Sequence, residues 1–367
     1  IYDATISHNY AHEYGGGIMA SSSDPTIVKA LIAHNFTMYG GGGIYATLYS
    51  DVTLDSLTIY KNTAANGGGL RFFFVSNGTI SNTIIQENLA PSQGGYNGTG
   101  GGVYISYSSS PDFYNIQVLY NEADYRAGGI YASGATASIF TNCLVEGNSA
   151  NSGGGLYVGG GTGTTRFYNT IISNNSSLNG HGGGVYLSGG SQAFYNATIT
   201  GNAANGWGQG GAVHNQNSNS LFANSILWEN TPNEINVASG SVTAEYCNVE
   251  GSYPGTGNID TDPLFIFGTC GLFHLSSSSP CIDAGNPDTT GMSLPVFDFA
   301  GNLRIANDTV DMGAIEYASV AAIQTDLKAF LEGPFNVTAM NTTLNSAGYL
   351  PLAQPYNQPP WNYFGAE

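Results

Sequence analysis

Nine times along this 367-residue chain an asparagine stands eight residues after an apolar residue, and the pair returns at a nearly constant interval. The apolar positions are Ile1, Ile27, Leu54, Ile80, Phe113, Phe140, Phe167, Phe194 and Phe222. The asparagines are Asn9, Asn35, Asn62, Asn88, Asn121, Asn148, Asn175, Asn202 and Asn230. The step is 26 to 28 residues, with one exception of 33. A period of this length marks a solenoid, in which no unit buries its face alone and stacking creates the core.

Within each unit the pattern is that of short strands, with no helical period. The fifth position after the apolar residue is always aliphatic (Ile6, Ile32, Ile59, Ile85, Val118, Val145, Ile172, Ile199, Leu227), and the third is mostly small or apolar. Glycine clusters follow the asparagine, as in Gly41-Gly42-Gly43, Gly67-Gly68-Gly69 and Gly153-Gly154-Gly155. They supply bends where φ is positive or where backbones crowd. Three strands and three bends fit in 27 residues. Stacked coils then lie about 4.8 Å apart, with parallel strands bonded from coil to coil. The sequence therefore predicts an all-β, right-handed parallel β-helix. It has about ten coils, because Ala244 to Val249 matches Phe140 to Val145 in register. Asn35, Asn62, Asn88, Asn121, Asn148, Asn175 and Asn202 are expected to form an amide ladder at a bend that tolerates left-handed backbone.

Composition narrows the function. The chain carries 7 Lys+Arg against 25 Asp+Glu, a net charge of −18. So few cations argue against nucleic acid and against anionic lipid as partners. No apolar run is long enough to span a bilayer as a helix, so no direct membrane insertion is expected.

A catalytic constellation is harder to find. Gly180-His181-Gly182 is the Gly-His-Gly triplet of polygalacturonases, but the chain has no Asp-Asp pair and no Arg-x-Lys clamp. His181 therefore reads as an insertion in a repeat glycine cluster. Lys29, Lys61, Arg71, Arg126, Arg166, Arg304 and Lys328 fall on different coils, and no two of the first five share a repeat position. His8 and His34 precede ladder asparagines and are expected to stack one coil apart. No catalytic residue, no cofactor and no metal are assigned on this reading. Aspartates gather after residue 259, with Asp260 and Asp262 the weak candidates for calcium. The bland reading is that these carboxylates close turns.

Candidate binding residues come from the aliphatic-Tyr pairs. Tyr45, Tyr104, Tyr131, Tyr157 and Tyr186 would point outward as an aromatic strip, with Tyr114, Tyr168 and Tyr195 as a second one. Such rows stack on sugar rings or bind protein, or simply stabilise a β-surface. The 33-residue step places a six-residue insertion between Asn88 and Gly100, which carries Tyr96. Trp207 lies at the equivalent corner four repeats later. Loops on one face of a solenoid commonly bind.

The Phe-x-Asn phrase (Phe113-Tyr114-Asn115, Phe140-Thr141-Asn142, Phe167-Tyr168-Asn169, Phe194-Tyr195-Asn196, Phe222-Ala223-Asn224) with its glycine triplets resembles the repeats of chlamydial polymorphic outer-membrane proteins. It resembles still more the β-helix regions of large secreted Bacteroidota proteins. Asn258 to Phe265, Ser279 to Gly285, Asp298 to Arg304 and Val310 to Tyr317 are similar to the cap of those helices. The resemblance implies a β-helix over 1–265, a cap over 266–317, and a linker or next module over 318–367. It also implies a longer protein, export by type IX secretion, and an extracellular or cell-surface location. In that oxidising setting Cys270 and Cys281, flanking a hairpin, are expected to pair. Cys143 and Cys247 share an inward position four coils apart and are expected to stay free.

The function these readings favour is non-enzymatic: an adhesin-like stalk or binding module whose partners are surface glycans or proteins. A carbohydrate-active enzyme and a subunit of an extracellular fibre are the rival readings.

Overall fold

The computed structural model describes residues 1–134, 137–161, 163–267, 273–305 and 309–317. Every regular element among them is a strand. One sheet of ten strands takes one strand from each coil, from Thr5–Ser7 to Asn248–Val249, and the neighbours in it are parallel. A second sheet of 16 strands forms the other long wall of the helix. It holds two strands per coil, such as Leu70–Phe73 and Gly78–Ser81. In Val185–Tyr195 and Val213–Ala223 the two merge into one strand of 11 residues. A narrow third wall begins after the ladder asparagine. The chain is thus a parallel β-helix of ten coils.

Register follows the repeat. Phe113 pairs with Phe140, Phe140 with Phe167 and Phe194 with Phe222. Their rings stack nearly parallel, 4.4 to 4.8 Å apart, as a fully buried column. The fifth-position aliphatics Ile32 to Leu227 line the facing wall and are equally buried.

The asparagine ladder forms as expected. In each coil the backbone N–H and the Nδ2 of the asparagine both donate to Oδ1 of the next, as Asn148 does to Asn175 at 2.9 Å. Nδ2 also donates to a carbonyl of the coil before, Val118 in the case of Asn148. Each asparagine therefore ties three coils together inside the core. The left-handed residue is not the asparagine but its predecessor: His34, Lys61, Glu87, Tyr120 and Asn174 all have φ between 50° and 56°. His8 and His34 stack, with ring centroids 4.9 Å apart. A second asparagine column, Asn82 to Asn224 in the Phe-x-Asn phrase, occupies the other left-handed corner, with φ of 49° to 53°. Asparagine tolerates that conformation better than other side chains.

The glycine triplet divides its labour. Gly67, the first, has φ of 69°; at the second and third, a Cβ would lie 2.6 Å from carbonyl oxygens of the next coil. Only the first glycine is required by conformation, and the other two by lack of room.

After the tenth coil the chain makes the antiparallel hairpin Phe265–Phe267 with Phe273–Leu275. It then folds back along the side of the helix instead of only closing its end. Asn169 Nδ2 donates to the Phe297 carbonyl, Asn196 Nδ2 to that of Asp311, and Asn286 N–H donates to Asn224 Oδ1. Inside this segment Arg304 is fully buried, ion-paired with Glu316 at 3.1 Å, and donates to the carbonyls of Gly313 and Ala314. Residues 318–367 lie outside the described residues.

Candidate binding site at the insertion

The outer surface of the wall that follows the glycine triplet carries one row of side chains. In order it reads Met19, Tyr45, Arg71, Tyr104, Tyr131, Tyr157, Tyr186 and His214, one per coil. The four rings from Tyr104 to Tyr186 stack 4.8 to 5.3 Å apart. The expected exposed strip is more covered than the sequence implies. Tyr45 and Tyr157 are buried, and Tyr104, Tyr131 and Tyr186 are half-buried. The cause is lateral: residues from the corner just before the glycine triplet lean over the row. Of the second strip, only Tyr168 and Tyr195 stack, at 5.2 Å.

The row is broken in the third coil, where arginine replaces tyrosine. Arg71 is 6 % exposed, and its guanidinium carbon lies over four rings: Phe73 at 4.4 Å, Tyr45 and Tyr104 at 5.2 Å, and Tyr14 at 5.7 Å. Gly40 makes room for it, since a Cβ there would lie 2.1 Å from a terminal guanidinium nitrogen. Arg126 comes from the corner of the fifth coil and covers Tyr125 at 4.6 Å and Tyr157 at 4.7 Å. Arg71 and Arg126 line one open cavity of about 320 Å³. The sequence places them at unrelated repeat positions, and the structure corrects the inference that they lie apart. One follows the glycine turn and one precedes it, and the turn folds both onto the same outer face.

The insertion closes the cavity on its remaining side. Gln93 and Tyr96 form a small antiparallel bridge, and Gln93 Nε2 donates to the Thr37 carbonyl of an earlier coil. Tyr96 thereby packs against Tyr39 at 5.5 Å and lines the cavity with Asn97 and Thr99. Among the described residues no carboxylate or histidine lines the cavity. Burial holds the phenols of Tyr14 and Tyr131 above the usual tyrosine range. They stay protonated at neutral pH and serve as hydrogen-bond donors.

The other candidates do not converge there. Trp207 is 90 % exposed at its own corner, away from the cavity. His181 stacks on His214 at 4.3 Å, and its Nδ1 accepts the Gln209 N–H. Burial, reinforced by His181, pulls His214 down to about 4. Asp260 accepts from the Gly251 N–H and the Ser252 hydroxyl, and Asp262 from the Leu264 N–H, so both carboxylates close turns. Among the described residues no three His, Cys, Asp or Glu side chains converge on a metal position. Cys143 and Cys247 are buried thiols, pushed up to about 12 by that burial. Cys281 is buried, and its Sγ accepts from Asn248 Nδ2. Cys270, and with it the expected Cys270–Cys281 bridge, lies outside the described residues.

A second cavity, of about 660 Å³, lies near the end of the asparagine ladder and is lined by Glu234 and Glu250. Paired carboxyls invite a catalytic reading. Both oxygens of Glu234 are already committed, however, accepting the Asn230 N–H at 2.9 Å and its Nδ2 at 2.6 Å. The tenth coil has no asparagine at the ladder position, and this carboxyl takes over that acceptor role. Burial, with Glu250 nearby, pushes Glu234 up to about 8. The sequence pattern gives no hint of it, because Glu234 sits outside the repeat register.

No family model matches the chain, and no curated protein matches it. Among solved structures it is similar to the pectate lyase Pel9A, at 15% identity over 86% of each chain with a TM-score of 0.51. That likeness is one of fold: both chains are parallel β-helices.

Proposed function

We propose that this chain is a non-enzymatic, adhesin-like glycan-binding module that acts outside the cell or at its surface. The observation that carries the reading is the cavity at the insertion, where stacked phenol rings, amides and a threonine line one open concavity. Sugar rings present apolar faces to aromatic side chains and hydroxyls to amides, and this lining offers both. The described residues of the cavity lining include no carboxylate or histidine, which favours binding over hydrolysis, a reaction that needs a positioned acid and base.

Affinity electrophoresis in gels containing single polysaccharides tests the reading. Retardation by at least one polysaccharide, weakened by Tyr96→Ala, is expected. Failure of every glycan to retard the protein overturns the reading. Release of new reducing or unsaturated ends from a retained polysaccharide replaces it with the carbohydrate-active-enzyme reading.

A further inference from the structure

We propose that the cavity recognises an anionic sugar, with a carboxylate or sulfate group seated between Arg71 and Arg126; this rests on the glycan-binding reading above. The chain has seven basic residues in a net charge of −18, and two of them meet in this one cavity. The ion pairs among the described residues are Lys61–Glu87 and Arg304–Glu316, so neither cavity arginine has a carboxylate partner. Arg71 is more than nine-tenths buried, and its Nε has no hydrogen-bond partner.

Burying a guanidinium with only ring faces around it leaves its in-plane N–H donors unmatched. Compare Arg304, fully buried, whose Nε is likewise unpartnered but whose terminal nitrogens are matched by Glu316 and two carbonyls, whereas no such partner faces those of Arg71 among the described residues. The rings over Arg71 hold the planar fork in place and leave its edge to be satisfied by a ligand. A carboxylate or sulfate oxygen pair fits such an edge, and a neutral hydroxyl fits it poorly. Tyr104 and Tyr131 stack beside the two arginines and offer a surface for the sugar ring that bears the anion.

Isothermal titration of the whole chain with three probes decides the matter: a hexuronic-acid oligomer, its methyl ester, and a sulfated neutral oligomer. The acid, the sulfated oligomer or both are expected to bind at least tenfold more tightly than the ester, and which of them does so identifies the anion. Arg126→Gln is expected to bring the acid-to-ester ratio towards one with an unchanged thermal midpoint. Arg71→Lys, which keeps the charge and loses the planar fork, is expected to weaken the acid as well. Equal binding of all three probes, or equal weakening of acid and ester by Arg126→Gln, overturns the anionic site and leaves the glycan reading standing. Failure of all three probes and of every polysaccharide to bind removes both.

Discussion

Two columns run the length of this helix under the same register, one inside and one outside. The inner one is asparagine in the first nine of the ten coils. The outer one is tyrosine in most coils but yields to arginine in the third and histidine in the eighth. The inner column is invariant because every interior member is at once donor to the next coil, acceptor from the previous one and donor to a carbonyl. No other uncharged side chain of that length can do all three. The outer column has only ring stacking to preserve, so a single coil can depart from it. A departure in the rigid column breaks the structure; in the permissive one it leaves room for a site.

The comparison can be broken most forcefully at Asn148. Asn148→Ala strands the N–H and Nδ2 of Asn121 and takes a donor from Val118 and Asn175. Each stranded buried donor costs about 1–3 kcal/mol, and a chemical-denaturation midpoint that does not fall would contradict the ladder.

The ladder's end gives the next largest effect, visible as pH dependence. Glu234 is held up to about 8, above its ordinary 4.5, so the folded state binds the proton more tightly. Its contribution to stability is complete below the unfolded value and is lost as pH rises towards the folded one. Each unit of separation is worth up to about 1.4 kcal/mol. Denaturation midpoints of wild type are expected to fall between about pH 5 and about pH 9, with Glu234→Gln showing a shallower slope. Equal slopes would remove Glu234 as the cause.

In the outer column, Tyr131→Leu loses two stacking contacts, each worth about 0.5–1.5 kcal/mol, and is expected to cost less than Asn148→Ala by the same assay. A loss as large as that of Asn148→Ala would erase the distinction between the columns. The smallest stability effect belongs to the insertion. Shortening 91–97 to the corner length of neighbouring coils is expected to move the midpoint by less than about 0.5 kcal/mol while abolishing retardation by polysaccharide. Unfolding would make the loop structural.

The fold was legible because repetition multiplies a weak signal. One Phe-x-Asn means little, but Phe113, Phe140, Phe167, Phe194 and Phe222 in one register mean a stacked core. The cavity was legible only in pieces. Tyr104 and Tyr131 are announced by their repeat position, and Tyr96 by the length of its coil. Arg71 and Arg126 are exceptions to the repeat, and comparing offsets hides their meeting, because the glycine turn between the two positions reverses the chain. A sharper rule was available: two cations on either side of the same corner, within two coils of the one insertion. Glu234 was illegible for a different reason, since its role is fixed by what the tenth coil lacks.

The asparagine bonds also have a direction. Every interior member gives two donors towards the C-terminal coil and receives two from the N-terminal side, so the column works as an arrow with Glu234 as its terminator. A carboxyl has no amide NH2 to give to a further coil and so cannot pass the pattern on. The length of this solenoid is therefore editable in one sense only. A duplicated 27-residue unit, Phe140 to Arg166 for example, can be spliced anywhere before Glu234 and find its bonds waiting. The same unit placed after Glu234 would meet an ended sentence.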